Sequence, residues 1–238
     1  MSFQTLAGVA QDSTRWRPGL GGACHSEVFA SSREASGTAL ALALALDARP
    51  AAWTEDARAV LWVQTREAAR LSGRPYRAGL TDELRHRVIH VLAAKPEDAL
   101  FALEEGLRCR DIAFVLGEMA GNPRALDFTA SRRLTLTAER HGVPLYLVRL
   151  DAAHDLSSAR MRWDARAAPS AASSWNPQAP GAPAWHAELF RARVHPPGAW
   201  VLRGREALEA SKAHPAPAGE EARAQLEIAP PRAARAIS

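Results

Sequence analysis

Apolar and polar positions alternate in a steady rhythm over the first 150 residues. Short apolar runs, bounded by turn residues, are each followed by a segment with helical spacing. Glu27-Val28-Phe29-Ala30 reads as a short strand, and Ser31 to Gly37 as a polar loop. In Thr38 to Asp47, Ala and Leu alternate with a period of two. Both faces are apolar, however, and both residues favour helix, so the spacing predicts a buried helix. Val60 to Val63 is a central strand, and Val88 to Val91 another. Between them, Gly73-Arg74-Pro75-Tyr76 and Gly79-Leu80 mark a loop that leads to a short helix. Pro96 opens the next helix with Glu97 and Asp98 in its first turn, where acids suit the helix dipole. Leu100, Leu103 and Leu107 give that helix one apolar stripe, and Arg108 and Arg110 lie at its end. Ile112 to Leu116 is a strand ending at Gly117-Glu118. Asp127 to His141 is a helix with Ala130, Leu134 and Ala138 on one face, stopped by Gly142 and Pro144. Leu145 to Val148 is the next strand.

After Leu150 the rhythm changes. Arg160 to Ala167, Trp185 to Arg193 and Ala199 to Arg203 read as strands without helices between them, and the last two pair as a hairpin. The fold class expected is α/β, a mainly parallel sheet flanked by helices with antiparallel strands at its C-terminal end. The folded domain is expected over 23–204. An irregular segment precedes it over 1–22, and an Ala/Pro-rich tail, expected to be disordered, follows over 205–238.

Charge and cysteine content narrow the class of protein. The net charge is +4, and Lys95 and Lys212 are the only lysines, so the positive charge is almost all arginine. Eight arginines against four acids lie between Arg149 and Arg205, a stretch that can form a basic surface for DNA phosphates or an acidic partner. Cys24 and Cys109 form no disulfide framework and match no metal spacing. Residues 1–19 lack the apolar core of a signal peptide, and the longest apolar run, Ala39 to Leu46, is too short to span a bilayer. The expectation is a cytoplasmic protein without metal or cofactor.

Strand, Ser/Gly loop, helix is the layout of a phosphate-binding loop. That loop needs backbone N–H groups at the helix N-terminus, a lysine for the β- and γ-phosphates and a hydroxyl for magnesium. Ser36-Gly37-Thr38-Ala39 stands where the pattern has Ser-Gly-Lys-Thr. Thr38 replaces the lysine, Ala39 the metal-binding hydroxyl, and Ser32 the first glycine. Glu118 stands where the second, acidic half of an ATPase site belongs, but with no lysine opposite it reads as a loop residue. No nucleophile elbow or catalytic triad spacing is present, and of His86 and His90, the one close histidine pair, His90 falls in a predicted strand. The chain is expected to have no catalytic residues and no ATPase activity.

Leu126 to Glu139, then Gly142, Pro144 and Leu147-Val148-Arg149, resembles the ImuA family. The likeness includes His25 to Ala30, Leu61-Trp62-Val63, Glu104 to Arg108, Arg162-Trp163 with Ala168-Pro169-Ser170, and Trp185 with Glu188-Leu189, Arg191, Arg193, Gly198 and Trp200-Val201. It runs in order over roughly residues 20–203. The resemblance implies a RecA-like, P-loop-type core and a role in SOS-induced translesion DNA synthesis, that is, damage-induced mutagenesis. Members of this kind act as accessory proteins beside ImuB, a Y-family polymerase relative, and an error-prone DnaE-type polymerase. Several lack the ATP-binding lysine. The implied role is an adaptor that docks an ImuB-like protein, with RecA and weak DNA contact as further partners and no membrane. Arg132, Arg133, Trp163, Trp185, Arg191, Arg193 and Trp200 are the candidate contacts. For the arginine pair an ion pair with Glu139 or Glu118 is the alternative, and for at least two of the tryptophans core packing is. Gln225 to Ala229 faintly resembles a clamp-binding peptide but lacks its closing aromatic. Two other functions stay open: a SulA-like inhibitor of cell division, which shares the RecA-like design, and an atypical ATP-binding protein.

Overall fold

A computed structural model describes residues 25–48, 56–172, 175–176, 178–179, 181–204 and 208–212. Among these residues nine strands form one sheet: β1 (His25–Ala30), β2 (Ala59–Thr65), β3 (Val88–Ala93), β4 (Ile112–Ala120), β5 (Leu145–Leu150), β6 (Met161–Ala167), β7 (Ala184–Ala192), β8 (Gly198–Arg203) and β9 (Glu209–Lys212). Their order is β3-β2-β4-β5-β1-β6-β7-β8-β9. The first six strands in that order pair parallel, and β6 to β9 pair antiparallel. This is the α/β class with a mostly parallel sheet and C-terminal antiparallel strands, and β7 and β8 form the expected hairpin.

Among the described residues five α-helices cover the sheet: α1 (Ser36–Asp47), α2 (Arg66–Ser72), α3 (Asp82–Arg85), α4 (Pro96–Arg108) and α5 (Phe128–His141). The Ala/Leu segment is a helix, buried on more than one side as its composition requires. It packs with Ala68 of α2 and Leu84 of α3 against Val28, Trp62, Leu116, Val148 and Trp163, which makes one half of the core. On the opposite face Leu100, Leu103 and Leu107 of α4 and Ala130, Leu134 and Ala138 of α5 pack against Leu61, Val63, Val115, Leu145 and Leu147. Side chains thus alternate between two covered layers along each central strand. Asp127 caps α5 by accepting from the Ala130 N–H at 2.7 Å, and Gly142 ends it in the left-handed region at φ 71°.

Two elements went unread in the sequence. α2 buries only Ala68, so its polar heptapeptide carries no apolar stripe. β9 lies within the segment expected as a disordered tail. It adds a strand to β8 at Trp200 to Arg203, so the ordered sheet runs past the boundary set at residue 204. The expected N-terminal segment over 1–22, the tail from 213 onward and the Gln225–Ala229 peptide lie outside the described residues.

A buried polar network joins the two halves of the sheet. Glu27 of β1 is fully buried and meets Arg162 Nε of β6 at 2.7 Å and Arg149 Nη1 of β5 at 3.5 Å. Ser157 donates to its other oxygen at 2.9 Å. Asp155 takes Arg149 at 3.1 Å, and Phe29 lies beneath both guanidiniums, 4.9 and 5.5 Å from its ring centre. Two buried arginines thus meet two acids, Glu27 in the interior and the partly exposed Asp155 at its edge. His25, also on β1, bonds Thr135 of α5 through Nδ1 at 2.9 Å.

Replacing one member of such a buried network leaves its partners charged and dry. Glu27→Leu should therefore lower unfolding free energy by about 3–5 kcal/mol, measured in urea at neutral pH. Burial, followed by the Arg149, Arg162 and Arg160 charges and opposed by Glu27, lowers the His25 pKa from 6.5 to about 4. The unfolded chain then binds the proton first. Stability contributed by neutral His25 is complete above pH 6.5 and is lost as pH falls toward 4, by up to about 3 kcal/mol. His25→Gln should flatten the fall across that window when urea curves are compared at several pH values.

Candidate functional site

The carboxyl ends of β1, β2, β4 and β5 surround a cavity of about 440 Å³. Open α/β sheets form such crevices where neighbouring strands send their connections over opposite faces. Here β2 leads to α2 on one face, and β4 leads to α5 on the other. The walls are the Ser32 to Ala35 loop, Thr38, Ala39 and Leu42 of α1, Trp62 and Gln64 of β2, Ser72 to Tyr76, Glu118 and Leu150.

Two donors of the degenerate loop before α1 are bonded to the protein's own carboxylates. Glu34 Oε2 accepts from the Ser36 hydroxyl at 2.7 Å and from the Ala167 N–H of β6 at 2.6 Å. Asp151, just past β5, is itself in the left-handed region at φ 51° and accepts from the Ser32 N–H at 3.0 Å. Those Ser32 bonds, with the charge of Arg33, hold the Asp151 carboxyl below its ordinary value. The Arg33 N–H is spent on Ser31 Oγ at 3.2 Å. Gly37 has a packing reason to be glycine. A Cβ there would lie 2.7 Å from the Ala30 Cβ and 2.9 Å from Val148 Cγ1, so the first turn of α1 sits directly on β1 and β5.

Glu118 is a buried acid in the cavity wall. It lies within β4 and is 1% exposed, so the reading of it as a loop residue is corrected: the strand runs four residues beyond the apolar run and carries Glu118 inward. Trp62 Nε1 donates to Oε1 at 2.7 Å and the Ser72 hydroxyl to Oε2 at 3.0 Å, with Gln64 and Thr38 adding side-chain hydrogen bonds. Thr38, the residue read at the lysine position, therefore touches the acid. Burial pushes the Glu118 pKa up, and the four donors only partly offset it. Gln64 also donates to the Gly73 carbonyl at 2.9 Å and contacts His90 Nε2 at 2.9 Å. Sequence reasoning missed Trp62, Gln64 and Ser72. The signal for the first two was a polar residue two positions after a tryptophan at the end of an apolar strand, which marks one face of β2 turning toward a polar site.

The remaining candidates are dispersed. Arg133 pairs with Glu104 of α4 at 2.6 Å rather than with Glu139 or Glu118; Glu139 is taken by Arg160 at 2.5 Å. Arg132 is exposed on α5, and Arg191 and Arg193 are exposed at the end of β7. Trp163 and Trp185 are 1% and 4% exposed and belong to the core, so they present no surface to a partner, while Trp200 is half-buried with its ring centre 6.2 Å from that of Trp163. The expected basic surface between Arg149 and Arg205 is reduced, because Arg149 and Arg162 are buried on acids and Arg160 is paired. Among the described residues no group of three or more His, Cys, Asp or Glu is placed to hold a metal ion, and no helix is long and apolar enough to cross a membrane.

Comparison with protein-family models finds no match, and comparison with curated proteins finds none either. The fold and the cavity thus carry what is established: an α/β protein with a mostly parallel sheet and a crevice at the strand ends, where the loop before α1 is bonded to Glu34 and Asp151.

Because Gly37 serves packing, Gly37→Ala should destabilise the fold by about 1–3 kcal/mol in urea unfolding, with no nucleotide present. A neutral or stabilising result would show that the close approach of α1 is not enforced.

Proposed function

We propose that the chain is a non-catalytic, RecA-like accessory protein of SOS-induced translesion synthesis, docking an ImuB-type polymerase relative and an error-prone DnaE-type polymerase. The observation that carries this reading is the state of the loop before α1. Glu34 and Asp151 hold its Ser36 hydroxyl and Ser32 N–H, and Thr38 stands in place of lysine. A triphosphate entering there would meet two carboxylates and no lysine, so its charge would be repelled where a working loop attracts it. The order strand, loop, helix, with an acid on a nearby parallel strand, supports the RecA-like design, and the residues similar to ImuA support the pathway. Exposed Arg132, Arg191 and Arg193 supply the weak contact with DNA in this reading, a contact that salt should screen.

The test uses the purified full chain in two assays. Pull-down with the ImuB-like protein and with the tubulin-like division protein of the same cell should capture the first and not the second. ATP with magnesium should neither be hydrolysed above background nor raise the melting temperature. Capture of the division protein alone would favour the SulA-like alternative, and magnesium-dependent ATP turnover would overturn the non-catalytic reading.

A further inference from the structure

Three glutamates are buried among the described residues: Glu27, Glu104 and Glu118. Glu27 has Arg149 and Arg162, and Glu104 has Arg108 and Arg133. Glu118 forms no salt bridge among the described residues, yet it is the one that faces a large cavity. A buried carboxyl held only by neutral donors has its charged form disfavoured, and a cation brought beside it restores that form.

We propose that this cavity is a binding site for a primary ammonium carried on an apolar stem, with an anionic group behind it. The ammonium supplies from outside the cation that position 38 lacks. Three features of the site fit it. Ser72 Oγ lies 3.0 Å from both Glu118 Oε2 and the Ala68 carbonyl. With its single proton turned to Ala68, the hydroxyl oxygen and the Glu118 oxygen both become acceptors for the incoming group. Thr38 offers a second rotatable hydroxyl beside the acid. Leu42, Leu150 and Trp62 add apolar wall to the same cavity, and exposed Arg33 and Arg74, which line it along with Glu34, can pair with a carboxylate at the far end of the stem. The volume is that of a small-molecule or side-chain pocket. A lysine flanked by acidic residues on a partner protein and a free ω-amino acid share this chemistry. The inference does not use the docking role proposed above, and its readout is direct binding of small probes.

Isothermal titration of the full chain with 6-aminohexanoate, hexanoate and a capped Glu-Lys-Glu peptide tests it. We expect 6-aminohexanoate or the peptide to bind with a Kd on the order of 1 mM or tighter, and hexanoate not to bind. Tighter binding of the peptide assigns the site to a partner's lysine, and tighter binding of the free amino acid to a small molecule. Glu118→Gln should weaken binding at least about tenfold. Thr38→Lys, which brings a cation to Glu118 within the chain, should abolish binding and leave the fold intact, and it decides the matter if Glu118→Gln does not fold. Binding by hexanoate equal to that of the amines, no binding by either amine, or unchanged affinity in Thr38→Lys would overturn the proposal.

Discussion

The structure depends most on the charge pairing around Glu27. That residue sits in the middle of the sheet, on a strand with parallel neighbours on both sides, where water cannot reach it. Arg149 arrives from β5 and Arg162 from β6, so the ions are brought together only when the three strands are in register. A one-residue slip would turn each charge to the other face, among Val28, Val148 and Trp163. The network is a specificity device as much as a source of stability. It makes the wrong pairing of apolar strands costly in a sheet whose hydrophobic pattern alone would tolerate several.

The same logic governs the candidate site. In both places an acid is planted on a central strand, and in both the surroundings decide its state. Around Glu27 the cations come from neighbouring strands. Around Glu118 the neighbours are an indole, an amide and two hydroxyls, contributed by β2, α2 and α1. Neutral donors hold the carboxyl in place without a cation beside it, so burial disfavours its charged form, and that difference separates a structural acid from one open to the cavity. The loop before α1 has taken the opposite course, since its Ser32 N–H and Ser36 hydroxyl are bonded to Asp151 and Glu34.

Much of the fold was legible because its elements obey local rules. Pro96, Asp127 and Gly142 mark helix ends, and short apolar runs mark strands with both faces covered. α2 escaped because a helix that buries one alanine has no period to read, and β9 because its Glu-Ala-Ser-Lys sequence has no strand signature and is held by β8 alone. At the site, Ser36, Gly37, Thr38 and Glu118 were visible as a motif. That Arg149 and Arg162 are interior was not, since charges spaced along a sequence look the same whether they face water or one another. Only the register, set by distant strands, tells them apart.

The placement of β6 bears on how this protein can be inherited. It is the sixth parallel strand and also the first of the antiparallel set, and it brings Arg162 to the acid on β1. The C-terminal third is therefore no detachable cassette: an ancestor ending after β5 would have carried a bare edge on β1 and a half-neutralised carboxylate in its interior. Recombination that shuffles modules at linkers has no clean seam here, so the two halves are expected to have diversified together, each change in one answered within the other.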